Sequence, residues 1–311
     1  SFLIYMNGKP SGILSNNPKE TLRSIPAHTI KKIEVITDPG ARYDAEGVSG
    51  ILNVITKGAE FEGYSVNLNT MLMNKVQVAG GYTTVKYGKF SLSANYSFSH
   101  YKSKIKSDSY REQFDNPDET YLIRHFDQRF NTPGHYGGLE ASFEIDSLNL
   151  ITLSGYLNDG RNKTTSFYSY TMENSVHDPV YSYGYDFDNH ENWGYSSVKI
   201  DYQRSFKRNK KEMLTLSYQY GYSPNNMNSF SKIVDKEGDS PSLQYLDNYN
   251  HQWNKARGTE HTLQLDYVNP FTSKHSLEGG MKYIRRSNSS RAISEIKRKE
   301  EDAWQPSAYQ P

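Results

Sequence analysis

From Glu62 onward the chain alternates apolar and polar residues with a period of two, and this pattern recurs in segment after segment. Tyr64, Val66, Leu68 and Leu72 are interleaved with Ser65, Asn67 and Asn69, and Phe90, Leu92, Ala94, Tyr96 and Phe98 with Ser91, Ser93, Asn95 and Ser97. Leu139, Ala141, Phe143 and Ile145 alternate with Glu140, Ser142, Glu144 and Asp146, and Ile151, Leu153 and Leu157 continue the pattern, as do Val198, Ile200 and Tyr202. It is cleanest in Leu214, Leu216, Tyr218 and Tyr220, in Leu263, Leu265 and Tyr267, and in Leu277, Gly279, Met281 and Tyr283. Residues two apart on a strand share a face, so each segment reads as a strand with one apolar and one polar side. A slip of one residue would put charge on the apolar side, so the pattern fixes the register.

Short turn-like links are predicted at Tyr87–Lys89, Asp146–Asn149, Lys207–Lys211 and Asn269–Lys274. Between them lie polar segments at about 106–120, 172–190, 224–256 and 286–303, expected to be long loops. Tight turns at one rim and long loops at the other are the layout of a transmembrane β-barrel. No run approaches the ~18 apolar residues of a membrane helix. The chain has 26 Tyr in 311 residues and a mean hydropathy of −0.82, which a barrel permits because only every second residue meets lipid. Strands of roughly 12–25 residues exceed the ~9–11 that cross a bilayer and are expected to project beyond it. Clusters such as Tyr218, Tyr220 and Tyr222, or Phe167, Tyr168 and Tyr170, suit aromatic girdles.

The first 58 residues have a different, mixed α and β character. A short strand at Leu3–Met6 meets the turn Asn7-Gly8, and Asn17-Pro18 caps a short helix expected over Glu20–Ser24. Strand character returns from Ile30 to Ile36. Then come Pro39-Gly40, the Gly47-Val48-Ser49-Gly50 bend, and a second strand carrying Ile51, Val54 and Ile55. The run Asp38-Pro39-Gly40-Ala41-Arg42-Tyr43, Gly47-x-x-Gly50 and Asn53-Val54-Ile55-Thr56-Lys57 resembles the last segment of the plug domain of TonB-dependent outer-membrane receptors, particularly those of Bacteroidetes type.

The resemblance implies a mainly β fold: residues 1–58 as the C-terminal part of a small α+β plug domain, and 59–311 as the N-terminal part of an antiparallel outer-membrane β-barrel. About nine strands and the start of a tenth near Trp304 can be counted, where such receptors close with about 22. An open sheet edge in hydrocarbon would strand backbone groups at several kcal/mol each, so the remaining strands are expected beyond Pro311 and further plug residues before Ser1. The plug pattern falls on Pro39, Gly40, Ala41, Tyr43, Gly47, Gly50, Asn53 and Lys57, with structural roles only.

The function implied is uptake of a scarce ligand, an iron chelate, cobalamin or a glycan, through a plugged barrel energised by the TonB complex in the bacterial outer membrane. Its partners would be TonB, the extracellular ligand, outer-membrane lipid and, in some members, a surface lipoprotein. Two alternatives are a non-transporting barrel acting as adhesin or surface binder, and a soluble β-rich carbohydrate-binding or structural protein. With 36 basic and 35 acidic residues there is no electrostatic case for nucleic acid. No catalytic constellation, cofactor motif or metal-ligand spacing occurs, the nine histidines included, and there is no cysteine. The segment Tyr185-Asp186-Phe187-Asp188-Asn189-His190-Glu191-Asn192 reads as a hydrated loop or, secondarily, an oxygen-ligand cation site. Tyr245, Tyr249 and Trp253, among amides, are the candidates for stacking on a sugar or siderophore.

Overall fold

The computed structural model describes residues 2–6, 9–10, 30–36, 50–56, 63–114, 116–238, 249–272 and 275–307. These form two sheets and no helix. The first has four strands in the order β2-β1-β4-β3: β1 (Phe2–Met6), β2 (Lys9–Pro10), β3 (Ile30–Ile36) and β4 (Gly50–Thr56). β4 is central, parallel to β1 and antiparallel to β3. Its Ile51, Asn53 and Val54 are buried, and Asn53 Nδ2 donates to Glu34 Oε2 across the register pair at 2.9 Å. The helix expected at Glu20–Ser24 and the motif residues Pro39, Gly40, Ala41, Tyr43, Gly47 and Lys57 lie outside the described residues.

The second sheet is a ten-stranded antiparallel meander in which each strand pairs with its sequence neighbours. Its strands are β5 (Gly63–Leu72), β6 (Val76–Tyr87), β7 (Phe90–Glu112), β8 (Tyr121–Asp146), β9 (Asn149–Glu173), β10 (Pro179–Phe206), β11 (Asn209–Gly238), β12 (Tyr249–Pro270), β13 (Ser276–Lys297) and the short β14 (Gln305–Pro306). That is the nine strands and the beginning of a tenth expected from the alternation.

One hydrogen-bonded row runs through Tyr64, Val85, Leu92, Ala141, Leu153, Ile200, Tyr218, Leu263 and Tyr283, apolar in all nine strands. The next row, displaced by one residue, holds Ser65, Thr84, Ser93, Glu140, Ser154, Lys199, Gln219, Thr262 and Ile284. Burial is inverted with respect to a protein that faces water. Leu68 is 81% exposed and Met281 72%, whereas Asn95, Ser154, Ser166, Ser197, Ser217 and Ser294 on the other face are buried. Tyr82 fixes which face is inside, because it stands in the polar row of Asn67 and Asn95 and packs with Ile4 and Val54 of the small sheet. The polar face is therefore turned inward, and nothing among the described residues covers the apolar face.

The outward apolar band also gives the strand tilt. Tyr283, the last apolar residue of the run on β13, shares a row with Tyr64, the first of the run on β5, while Leu72 ends that run eight positions higher. The band thus drops by about one residue per strand, a rise of ~3.3 Å against a spacing of ~4.8 Å, which corresponds to a tilt of about 35°, within the range of closed barrels. On β11 it extends from Leu214 to Tyr222, about nine residues, the length that crosses a bilayer at such a tilt. Two Tyr–His pairs lie on this face: Tyr96 Oη with His135 Nδ1 at 2.7 Å, and Tyr218 Oη with His261 Nδ1 at 2.9 Å. No helix among the described residues is long and apolar enough to cross a membrane, which says nothing about strands.

The tight rim follows expectation. Gly88, at φ +51, turns β6 into β7. Asp146 accepts the N–H groups of Leu148 and Asn149 at 2.8 and 2.9 Å, an Asx turn between β8 and β9. At the β10–β11 turn Arg208 clamps Glu212 through two bonds of 2.7 Å, and Tyr267 Oη donates to the same carboxylate at 2.7 Å. The Arg208 hydrogen bonds, then that of Tyr267, hold the Glu212 carboxyl below its ordinary range.

At the other rim the expectation of long loops is corrected. β7 runs to Glu112 and β8 starts at Tyr121; β9 ends at Glu173 and β10 begins at Pro179; β13 reaches Lys297. The polar segments are mostly strand, and the links shrink to 113–120, 174–178 and 298–304; the β11–β12 link, 239–248, lies outside the described residues. Above the lipid both faces meet water, so the strands continue pairing without the apolar face that made them recognisable below. Phe167, Tyr168 and Tyr170 are corrected too. They stand ten residues or more above Leu157, where the band ends on β9, and are no lipid girdle. Tyr168 and Tyr170 face inward: Tyr170 stacks on Tyr183 with 4.8 Å between the rings, and Tyr168 packs against Phe126 at a tilt and Tyr185 edge-on.

Candidate functional site

The inward face of β9–β13, above the level of Tyr82, carries a groove of about 580 Å³. Trp193 and Tyr195 of β10 form its aromatic side, and Asn158, Ser223, Asn225, Asn288 and Ser290 its amide and hydroxyl side. Small residues make the space. A Cβ on Gly160 would lie 2.6 Å from Trp193 Cζ2, so glycine there lets the indole lie flat across β9. A Cβ on Gly258 would come within 2.6 Å of Ser223 Oγ and 2.9 Å of Asn288 Oδ1, closing the floor. Tyr195 continues an inward aromatic ladder through Tyr156 to Tyr136, with centroids 5.8 and 5.6 Å apart.

Charge borders this groove in balanced form. Glu191, above it, accepts hydrogen bonds from Asn162 and Asn225, both at 3.0 Å. Glu260, below Gly258 on the same face, pairs with Arg286 at 2.5 Å. The lining itself offers mainly ring faces, amides and hydroxyls, with Arg257, at an outward position of β12, its one charged residue, and suits a ligand rich in hydroxyls and carbonyls better than a strongly charged one.

The residues singled out from sequence are elsewhere. Tyr249 and Trp253 lie on β12 rather than in a loop, and both face outward; Tyr245 is outside the described residues. Trp253 has Lys255 Nζ 5.5 Å and Arg291 Cζ 5.8 Å from its ring centre, and Lys297 Nζ lies 4.9 Å from the Tyr249 ring. The acidic segment 185–192 is corrected from loop to the middle of β10, which splits its carboxylates: Asp186 and Asp188 face outward and Glu191 inward. Among the described residues no cluster of three or more His, Cys, Asp or Glu side chains could hold a metal. Gly50 and Asn53 sit in β4, Asn53 bonded to Glu34. Trp193, Tyr195, Asn158 and Asn288 escaped the sequence reading because they look like any polar positions of a strand. Glycines at inward-parity positions opposite large aromatics, Gly160 beside Trp193, are the pattern that could have found them.

Residues 204–310 match the family described as outer membrane protein beta-barrel family. No curated protein matches the chain. Among solved structures, similarity is found to BauA, the ferric preacinetobactin receptor from Acinetobacter baumannii, at 10% identity and a TM-score of 0.24, over 94% of this chain and 52% of that one. The siderophore receptor PirA from Pseudomonas aeruginosa is similar at 11% identity and a TM-score of 0.21, over 95% of this chain and 77% of that one. The chain thus spans about half the length of the first of these structures.

Proposed function

We propose that this chain, which forms part of the wall of an outer-membrane β-barrel in the bacterial envelope, works as a ligand receptor and importer whose small N-terminal sheet is the inner part of a plug. The observation that carries this reading is Tyr82: the polar side of the wall is packed against Ile4 and Val54 of a separate sheet instead of enclosing an open channel. A barrel filled in this way does not pass solutes by diffusion. It needs a ligand to be captured on the inward face and the filling sheet to be displaced by work. The outer membrane lacks a local nucleotide source, so the TonB complex is the partner that would supply that work.

On this reading Trp193, Tyr195, Asn158 and Asn288 provide the capture surface, and a lining of rings, amides and hydroxyls with the single charge of Arg257 favours a glycan or another hydroxyl-rich ligand over a highly charged chelate. Pro39, Gly40, Ala41, Tyr43, Gly47, Gly50, Asn53 and Lys57 would shape the plug's turns and central strand. The role is binding and passage, and no residue is assigned to a reaction. The test is uptake by whole cells of the full-length protein and of Gly258→Phe, whose ring would fill the groove. Energy-dependent uptake lost in the variant, with assembly in the outer membrane unchanged, supports the proposal; uptake insensitive to both the variant and a protonophore refutes it.

A further inference from the structure

The outward face just above the apolar band is basic. Lys102 on β7 and Arg161 and Lys163 on β9 stand four to six residues above the top of the apolar band on their strands, at Phe98 and Leu157, and Lys255, Arg257, Arg285 and Arg291 on β12 and β13 two to eight residues above its top there, at Leu263 and Tyr283. At ~3.3 Å per residue and the tilt given above, this belt covers about 5–20 Å beyond the hydrocarbon. None of these seven cations has a carboxylate within ion-pair distance among the described residues, and Asp159 is the one outward carboxylate at their level there. Three outward cations higher on the wall are by contrast paired with carboxylates: Lys104 and Lys106 with Asp127, at 3.1 and 3.6 Å, and Lys232 with Asp186 at 3.7 Å.

The belt also has a shaped site. A groove of about 550 Å³ lies on this outer face, lined by Trp253, Lys255, Asn192, Asn226, Asn228 and His190. Lys255 and Arg291 flank the Trp253 ring, which sets two cations beside an aromatic plane and a row of amides. Cations match phosphate, and a ring face with amides matches a sugar. The surface is continuous with the lipid-facing band below it. We propose that this belt binds the phosphorylated sugar headgroup of an outer-leaflet glycolipid, so that the protein carries a lipid site on its outside distinct from the ligand groove on its inside. Trp253, which its composition suggested as a ligand contact, would serve that lipid.

The experiment is native mass spectrometry of the full-length protein in neutral detergent, offered diphosphoryl lipid A, dephosphorylated lipid A or inorganic phosphate. The expected result is retention of diphosphoryl over dephosphorylated lipid A by about tenfold, with a similar loss in the Lys255→Gln/Arg291→Gln double variant. A Lys104→Gln/Lys232→Gln control should bind as the wild type does. Equal retention of the two lipids by the wild-type protein overturns the proposal and needs no variant to fold. So does a folded Lys255→Gln/Arg291→Gln protein that binds unchanged, or displacement of the lipid by millimolar inorganic phosphate, which would make free phosphate the ligand.

Discussion

Tyr82 of β6 and Val54 of β4 belong to separate sheets yet share one buried cluster, completed by Ile4 and flanked by Ile30 and Leu52. Tyr82 is 6% exposed and Val54 1%, on the side of the wall where the buried side chains include many serines, threonines and asparagines. This contact holds the small sheet against the polar face and gives that face its sense as the inside.

Truncating the contact should loosen the small sheet while leaving the wall standing. Tyr82→Ala removes a buried ring, a change worth about 3 kcal/mol, whereas Tyr82→Phe retains most of the packing. Limited proteolysis checks this: β1–β4 should become cleavable in Tyr82→Ala, with the gel mobility of the unboiled barrel unchanged.

Charge should be tolerated by parity rather than by position along the chain. Leu265 faces outward and Gln264 inward, one residue apart on β12 and inside the apolar band. Leu265→Arg should cost about 2–4 kcal/mol of folding stability in the bilayer, and Gln264→Arg much less. The yield of assembled protein in the outer membrane distinguishes the two.

Acid should weaken the tight rim through Glu212. Its folded pKa is depressed by Arg208 and Tyr267, so its contribution is fully present above the unfolded value of about 4.3 and is lost as pH falls through the lower folded value. Glu212→Gln should be less stable at neutral pH and show a flatter loss between about pH 5 and 3. Thermal unfolding as a function of pH reads both effects.

The wall could be read from the sequence because its apolar face is continuous: the row from Tyr64 to Tyr283 appears in the chain as plain alternation. Where Lys104, Asp127, Asp186 and Lys232 stand, both faces meet water, alternation fades, and strands were taken for loops. The groove was hidden for a related reason. Trp193 and Asn288 lie 95 positions apart, and only the register through β11 and β12 brings them to one surface. Trp253 was noticed for its chemistry, but its face depends on parity counted from Leu263, across a stretch whose polarity gives no sign of inside or outside.

The most direct test of the account is which parity meets lipid, and these 311 residues contain no cysteine to compete with an introduced one. Single cysteines at Leu153, Ser154, Lys199, Ile200, Leu263 and Gln264 would each carry an environment-sensitive fluorophore, in the full-length protein reconstituted with brominated lipid. The account predicts quenching at 153, 200 and 263 and none at 154, 199 and 264. Equal, water-like emission at all six would contradict it and return the chain to a β protein that lives in water.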